Sequence, residues 1–282
     1  MIEGERLRSD VGSPSGSFRT QAYLELIGVP PLRPMTAPFD PGYDPHTFEG
    51  HLAQSAHLME IMKISMAGWI IANEAVTRRK IALCRDSGVS TVTGGGPFEI
   101  AVAQGHLAEY LDLVADIGFS RIEAGMGFTD MPLTPEQVLL AAAARGLEVQ
   151  LELGKKHDGA FTSDVVGALI DQGRRWLGAG AVQLVIEARE SARGVGVFDA
   201  DGALDRAAAD RFAEAFGLDT CTFEAPDKRS QFALLDHFGP GVHLCNIRLE
   251  EILRVEIYRR GLHSDAFLRD NLRPSRPDGA PG

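Results

Sequence analysis

The sequence predicts an α/β protein, a single (β/α)8 TIM barrel, and three observations carry that expectation. Short β-type runs alternate eight times with longer amphipathic segments over about 230 residues, the count and size of such a barrel. Several amphipathic segments stop at a glycine, Gly88, Gly118, Gly146 and Gly217, just before the next run. That is the chemistry of a helix C-terminus. Four successive runs also finish alike, with an apolar residue followed by glutamate: Ile122-Glu123, Leu151-Glu152, Ile186-Glu187 and Phe223-Glu224. A doubly wound open sheet is the alternative. It usually has fewer strands and a Gly-rich turn after the first, whereas the first run here leads into PFDPGYDP.

Taken in order, residues 1–29 are expected to form an N-terminal extension, partly disordered, with a short helix over 18–28. Residues 30–265 form the barrel, and 266–282, rich in Pro, Arg and Gly, a disordered tail. The predicted strands are 33–40, 61–66, 90–93, 121–124, 148–153, 181–188, 220–224 and 242–246. The predicted helices are 47–59, 73–87, 98–117, 134–145, 164–178, 204–216, 228–238 and 249–261.

With 282 residues and 44% hydrophobic content, the chain can build a sizeable core. Its net charge of −11 argues against nucleic acid as a partner. It leaves room for small anionic substrates, because a few cations in a cleft reverse the sign locally. Cys84, Cys221 and Cys245 are widely spaced and form no disulfide framework or zinc motif. No stretch is long and apolar enough to suggest membrane association. The expectation is a cytoplasmic homo-oligomer.

The glutamates are 29, 35 and 37 residues apart, one β/α unit each. A barrel therefore gathers Glu123, Glu152, Glu187 and Glu224 at the rim where such enzymes keep their chemistry. Cations are interleaved with them: Lys155 and Lys156 follow Glu152, Arg189 and then Glu190 follow Glu187, and Lys228 follows Glu224. The chain holds only 5 lysines against 23 arginines, so each retained lysine draws notice. The rim thus combines carboxylates able to hold Mg²⁺ with bases able to hold phosphate or carboxylate. The plainer reading is an ion-pair network closing the mouth. Lys63, inside the second strand, either joins the chemistry or neutralises neighbouring acids. Gly94, Gly95 and Gly96 join a strand to a helix and can present N–H groups to an anion; a flexible loop explains them equally. The last strand gives Asn246-Ile247-Arg248 before a helix, where barrels often bind phosphate. The eight histidines are scattered, and no G-x-S-x-G or H-E-x-x-H occurs.

These residues resemble the phosphosulfolactate synthase family, a coenzyme M pathway family. The resemblance is carried by Glu152-Leu153-Gly154-Lys155-Lys156, by Ile186-Glu187-Ala188-Arg189-Glu190-Ser191 and by Phe223-Glu224-Ala225-Pro226 with Lys228 and Gln231. His243-Leu244-Cys245-Asn246-Ile247, Glu256 with Arg259, and the glycine turn ending in Phe98-Glu99 extend it from about Arg33 to Asp265. Lys63 and Asp40 fall where the family has its strand-two lysine and its aspartate after strand one. The resemblance implies a Mg²⁺-dependent lyase that adds sulfite to phosphoenolpyruvate. On that reading the metal is held by Glu152 and Glu187, with Glu224 and Asp40 as further candidates. Lys155, Lys156, Arg189 and Lys63 are the catalytic candidates. One of the paired lysines would protonate the α-carbon, its pKa lowered by the other. Gly94–Gly96, Asn246, Arg248 and Lys228 would bind substrate or phosphate, with Glu123, Glu190 and Glu99 completing the rim.

The sequence departs from the family in strands two to four. The Gly-Trp-Gly-Thr motif is Ser65-Met66-Ala67-Gly68, the Ile-Ser-Asp-Gly motif is Ala124-Gly125-Met126-Gly127, and the glycine turn loses its threonine at Gly96. Met66 and Met126 would make that wall more apolar. Two further readings therefore stand: a relative that adds another nucleophile to phosphoenolpyruvate or to an analogue of it, and a stress or interaction barrel without turnover. Ser65 and the N–H groups of the glycine turn could equally restore the missing donors.

Overall fold

Eight parallel strands pair in chain order and the last returns to the first, closing the barrel. The structure is a computed structural model that describes residues 19–64, 66–267 and 269–272. The strands are β1 (Thr36–Asp40), β2 (Ile61–Ile64), β3 (Ser90–Thr93), β4 (Arg121–Ala124), β5 (Glu148–Leu153), β6 (Gln183–Ile186), β7 (Cys221–Glu224) and β8 (His243–Arg248). A helix, α1 (Arg19–Leu26), precedes them. Between and after the strands lie α2 (Pro45–Ser55), α3 (Gly68–Ile71), α4 (Glu74–Asp86), α5 (Gly95–Ala103), α6 (Leu107–Ile117) and α7 (Pro135–Ala143). They are followed by α8 (Ser163–Ala179), α9 (Arg206–Phe216), α10 (Lys228–Phe238) and α11 (Ile252–Arg259).

Helix starts are set by short polar side chains that satisfy free backbone N–H groups. Asp44, Asn73, Thr162 and Asp205 cap α2, α4, α8 and α9. Thr134 with Gln137 and Asp227 with Ser230 close reciprocal caps on α7 and α10. Gly88, Gly118, Gly146 and Gly217 all have positive φ where their helices end.

The single helix expected over 98–117 is two helices, α5 and α6. Gly105, at φ +75°, breaks it, and His106 N–H closes back on the Ala101 carbonyl. The first strand begins at Thr36 rather than residue 33, because Pro34 offers no N–H and Arg33 turns out to pair with Asp219. The second stops at Ile64; Met66 takes a left-handed backbone at φ +45°. The expected tail is packed at its start, since Ala266 and Leu272 are buried. The expectations for residues 1–18 and 273–282 lie outside the described residues, as does that for Ser65.

Side-chain alternation along each strand positions the site. In β5, Val149, Leu151 and Leu153 join the core beneath the helices, while Gln150 and Glu152 turn to the barrel axis. Ala37, Ile61, Val92, Val185 and Cys245 form a separate apolar layer inside. Below it, Gln183 donates to Glu60 and Thr222 at 2.9 and 2.7 Å and accepts from Arg121 at 3.0 Å, closing the N-terminal end. Above it stand the glutamates. Among the described residues, no helix is long and apolar enough to cross a membrane.

Candidate active site

Because each glutamate lies within one residue of its strand's C-terminal end and points to the axis, all four side chains reach the C-terminal mouth, buried to 3% exposure or less. Each is held differently. Glu123 Oε1 pairs with Lys63 Nζ at 2.8 Å and accepts the Gly95 N–H at 3.0 Å; its Oε2 accepts from Gln150 at 2.8 Å. Glu224 Oε2 accepts the Ala188 and Arg189 N–H groups at 2.8 and 3.0 Å, and Asn246 Nδ2 donates to Oε1. Arg189 and Asn246 both sit at positive φ, 55° and 54°. Non-glycine residues pay for that backbone only where the surroundings impose it, and here both make hydrogen bonds to Glu224. Glu187 Oε1 accepts the Arg189 N–H at 2.6 Å.

Three carboxylate oxygens in this region are buried without a hydrogen-bond donor: Glu152 Oε1, Glu187 Oε2 and Glu99 Oε1. Lys156 Nζ is 3.6 Å from the first and 4.0 Å from the second. Burial and the neighbouring carboxylates Glu123 and Glu187 push Glu152 well above the usual carboxylate range. Burial raises Glu187 to about 7, helped by the charge of Glu224, and raises Glu224 to about 7, helped by Glu152. The buried lysines show the converse. Burial pulls Lys63 and Lys156 down, but the carboxylates around them more than offset it, and both are raised.

These orphaned oxygens bear on whether the mouth suits a divalent cation. Among the described residues, no three His, Cys, Asp or Glu side chains are gathered closely enough to enclose a metal. Mg²⁺ needs no such cage; it binds through one or two carboxylates and keeps several waters. Glu152 and Glu187, each with an unsatisfied oxygen beside a half-buried ammonium, fit it.

Several sequence candidates lie elsewhere. Asp40 faces the helices, not the axis: Oδ2 pairs with Lys80 at 2.7 Å, and Oδ1 accepts from Gly42 and Tyr43 N–H at 2.9 and 2.8 Å. It is a structural ion pair on the face of β1 turned away from the mouth. Lys155 is exposed, so Lys156 alone enters the mouth, and carboxylates raise its pKa rather than a second lysine lowering it. Lys228 reaches away to Asp265 at 3.5 Å over the Phe232 ring. Arg248 pairs with Glu250 at 2.6 Å, and Glu190 is exposed. In the glycine turn, Gly95 spends its N–H on Glu123, and a Cβ at Gly94 would meet the Met66 backbone at 3.0 Å. Asn246 links Lys63 Nζ, at 3.0 Å, to Glu224. Lys63 therefore fills the plainer of its two roles, a counter-charge beneath the rim.

Met126 is not part of an apolar wall at the mouth. Its sulfur lies 3.8 Å from Gln172 on α8, while Met66 and Phe128, both exposed, flank the glycine turn. Sequence reasoning missed Gln150, which orients Glu123. Its signal was its position two residues before Glu152, on the same face of β5. Glu256 and Arg259, quoted in the resemblance, are far from the mouth. Arg259 is fully buried and ties Glu256, at 3.0 Å, to Thr36 and the Pro240 and Val242 carbonyls.

A family model described as (2R)-phospho-3-sulfolactate synthase (ComA) matches residues 30–265. A phosphosulfolactate synthase from Methanocaldococcus jannaschii is 32% identical over 239 residues, 83% of this chain and 94% of that protein. One from Methanothermobacter thermautotrophicus is 28% identical, over 87% and 95%. One from Bacillus subtilis is 25% identical, over 81% and 90%. Among solved structures, KGPDC from Streptococcus mutans superposes with a TM-score of 0.50 at 12% identity, over 80% of this chain and all of that one. That likeness concerns the barrel alone.

Proposed function

The chain belongs to the phosphosulfolactate synthase family of carbon–sulfur lyases, and from that membership we infer that it joins sulfite to phosphoenolpyruvate, giving (2R)-phospho-3-sulfolactate. The observation that carries the reading is the Lys156 ammonium, half-buried between the unsatisfied oxygens of Glu152 and Glu187.

In this reaction the sulfur lone pair forms a bond to the methylene carbon, and the alkene pair moves toward the α-carbon and carboxylate. A proton then arrives at the α-carbon, and the phosphate ester stays intact. Magnesium, when bound, supplies a hard positive charge for the charge that develops on the substrate carboxylate. Glu152 and Glu187 are the residues that would hold it. Lys156 remains protonated near neutrality because carboxylates raise its pKa, so it carries the proton that the α-carbon needs. Arg189 uses one N–H on the Lys156 carbonyl at 3.0 Å. That contact steadies the lysine's backbone and leaves the other guanidinium donors for a phosphate or carboxylate. Glu224 fixes the Arg189 backbone, and Lys63 and Asn246 fix the rim from below.

A second nucleophile is favoured by one observation. Phe128 is exposed, with its ring 3.9 Å from where a Cβ at Gly96 would stand, so apolar surface lies beside the glycine turn, an unpromising wall for a small dianion. A barrel without turnover is poorly supported, because a scaffold gains nothing from three buried carboxylate oxygens without donors.

The test is to incubate the purified protein with Mg²⁺ and phosphoenolpyruvate, adding sulfite in one arm and thiols, phosphite or amines in others, and to read products by mass. A phosphosulfolactate mass in the sulfite arm supports the first reading. Adducts confined to another arm replace it with the second, and no adduct in any arm removes both.

A further inference from the structure

We infer that Gly127, in the loop after β4, is a positioning residue for Lys156: the lysine stem runs along its bare Cα, and Glu99 anchors the loop that carries it. This rests on the proposed use of Lys156 as the proton donor and says what puts its ammonium in place.

Lys156 belongs to no helix or strand, and the acids beside it do not clamp its head. Nζ lies 3.6 Å from Glu152 Oε1 and 4.0 Å from Glu187 Oε2, and neither oxygen receives a hydrogen bond. Attraction over such distances varies slowly with position, so it holds the charge in the mouth without fixing where it stands. The backbone is fixed instead by two neighbouring loops. The Lys156 N–H donates to the Gly127 carbonyl at 2.9 Å, and the Lys156 carbonyl accepts from Arg189 Nη1 at 3.0 Å.

From there the stem passes Gly127 itself. A Cβ at Gly127 would stand 2.8 Å from Lys156 Cε and 3.1 Å from its Cγ. Carbon atoms pack at about 3.5–4.0 Å, so a side chain here would push the stem aside. The same Cβ would stand 3.2 Å from Glu99 Oε1, which closes the other direction. Gly127 does not take the left-handed backbone that Gly154 takes at φ +127°. Room, rather than conformational freedom, is what this glycine supplies.

The stem's path is only as steady as the loop that borders it. Residues 125–134 join β4 to α7 without a helix or strand of their own. Glu99, on α5 with no exposed surface, gathers the two residues after Gly127. Its Oε2 accepts Phe128 N–H at 2.9 Å, Thr129 N–H at 3.0 Å and the Thr129 hydroxyl at 3.2 Å. Hydrogen bonds to a charged oxygen are stronger than neutral ones, so the loop is tied firmly to α5, and through Gly127 the lysine is tied to the loop.

The first test needs no substrate. The full-length protein is treated with limiting acetic anhydride, and mass spectrometry reads acetylation of Lys156 relative to exposed Lys155. Buried Lys80, held by Asp40, reports that the fold is intact. Gly127→Ala should raise the Lys156 ratio severalfold as the head leaves its carboxylates. Glu99→Ala should raise it too, and Glu99→Gln, which keeps an oxygen for the loop donors, should raise it less. An unchanged ratio in Gly127→Ala overturns the inference; where that variant exposes Lys80, an unchanged ratio in Glu99→Ala does so. The second test is a cycle on turnover of phosphoenolpyruvate and sulfite with Mg²⁺. Gly127→Ala should lower kcat by up to about 10²-fold, the effect of misplacing a group by about 1 Å, with KM little changed. In the Lys156→Ala background, which lacks the stem, it should lower the residual rate no further. Equal losses in both backgrounds overturn the inference and leave the proposed function standing. No turnover by the wild-type protein removes the proposed function, and the acetylation ratios then decide the placement alone.

Discussion

Lys63 on β2 and Glu123 on β4 meet inside the barrel at 2.8 Å, although β3 separates their strands. The pair is nearly dry, with 11% and 1% of the two side chains exposed. Glu224 and Glu152 add their fields to the same ammonium. Lys63→Met should therefore destabilise the fold by roughly 3–5 kcal/mol, the cost of leaving a buried charge without its partner. Urea unfolding measures it. An unchanged midpoint would show that the carboxylates above rely on another cation.

The two neighbouring lysines should behave unlike each other. Lys156 stands between Glu152 and Glu187, and Lys155 faces solvent. Lys156→Met is expected to lower kcat by about 10²–10³, typical for losing a transition-state contact, whereas Lys155→Met stays near wild type. Steady-state rates on both variants decide it. Equal losses, or none, would contradict the assignment of the proton donor.

Much of this architecture was legible in the chain, for identifiable reasons. Strand parity is a local property, so the recurring apolar-Glu ending alone places Glu123, Glu152, Glu187 and Glu224 on one rim. The split of α5 from α6 was harder, because Gly105 sits in an otherwise helical pattern and a lone glycine is often tolerated there. Asp40 was misplaced because it was assigned by its place at the strand end rather than by parity: Ala37 faces the barrel interior, so Asp40, like Thr36, faces the helices. Its partner Lys80 also lies 40 residues on. The exposure of Lys155 against the entry of Lys156 depends on how the chain turns at Gly154, whose φ is +127°. Glu99 could be named from its motif, but its two unlike oxygens depend on a loop 29 residues away.

Asp40→Asn tests whether Asp40 serves the fold or a bound cation. The variant removes the partner of buried Lys80, so stability should fall by roughly 3–5 kcal/mol, while affinity of the folded protein for Mn²⁺, a spectroscopic stand-in for Mg²⁺, is unaltered. Parallel unfolding and titration experiments report the two quantities. Lost Mn²⁺ affinity with unchanged stability would return Asp40 to the metal site.

The rim carboxylates also set a pH dependence for the metal-free protein. Burial raises Glu187 and Glu224 from the usual 4.5 to about 7. Between those pH values the folded chain holds protons that the unfolded chain releases. The stability these protonated groups contribute is therefore full below about 4.5 and lost as pH rises through about 7. In EDTA, Tm should decline across that window, and Glu224→Gln should flatten the decline. A Tm that rises with pH in wild type, with no change in slope in the variant, would show that these acids are ionised throughout.

One reaction at this mouth, the addition of sulfite to phosphoenolpyruvate, is the proposed activity. The vinyl protons of phosphoenolpyruvate, followed by NMR in the presence of protein, Mg²⁺ and sulfite, report it directly. The expected result is their disappearance at a rate proportional to protein concentration, with new methylene signals next to a sulfonate and an intact phosphate ester, and suppression by excess EDTA. Vinyl signals that persist unchanged beside folded, Mg²⁺-supplied protein would contradict the assignment of phosphosulfolactate synthesis to this chain.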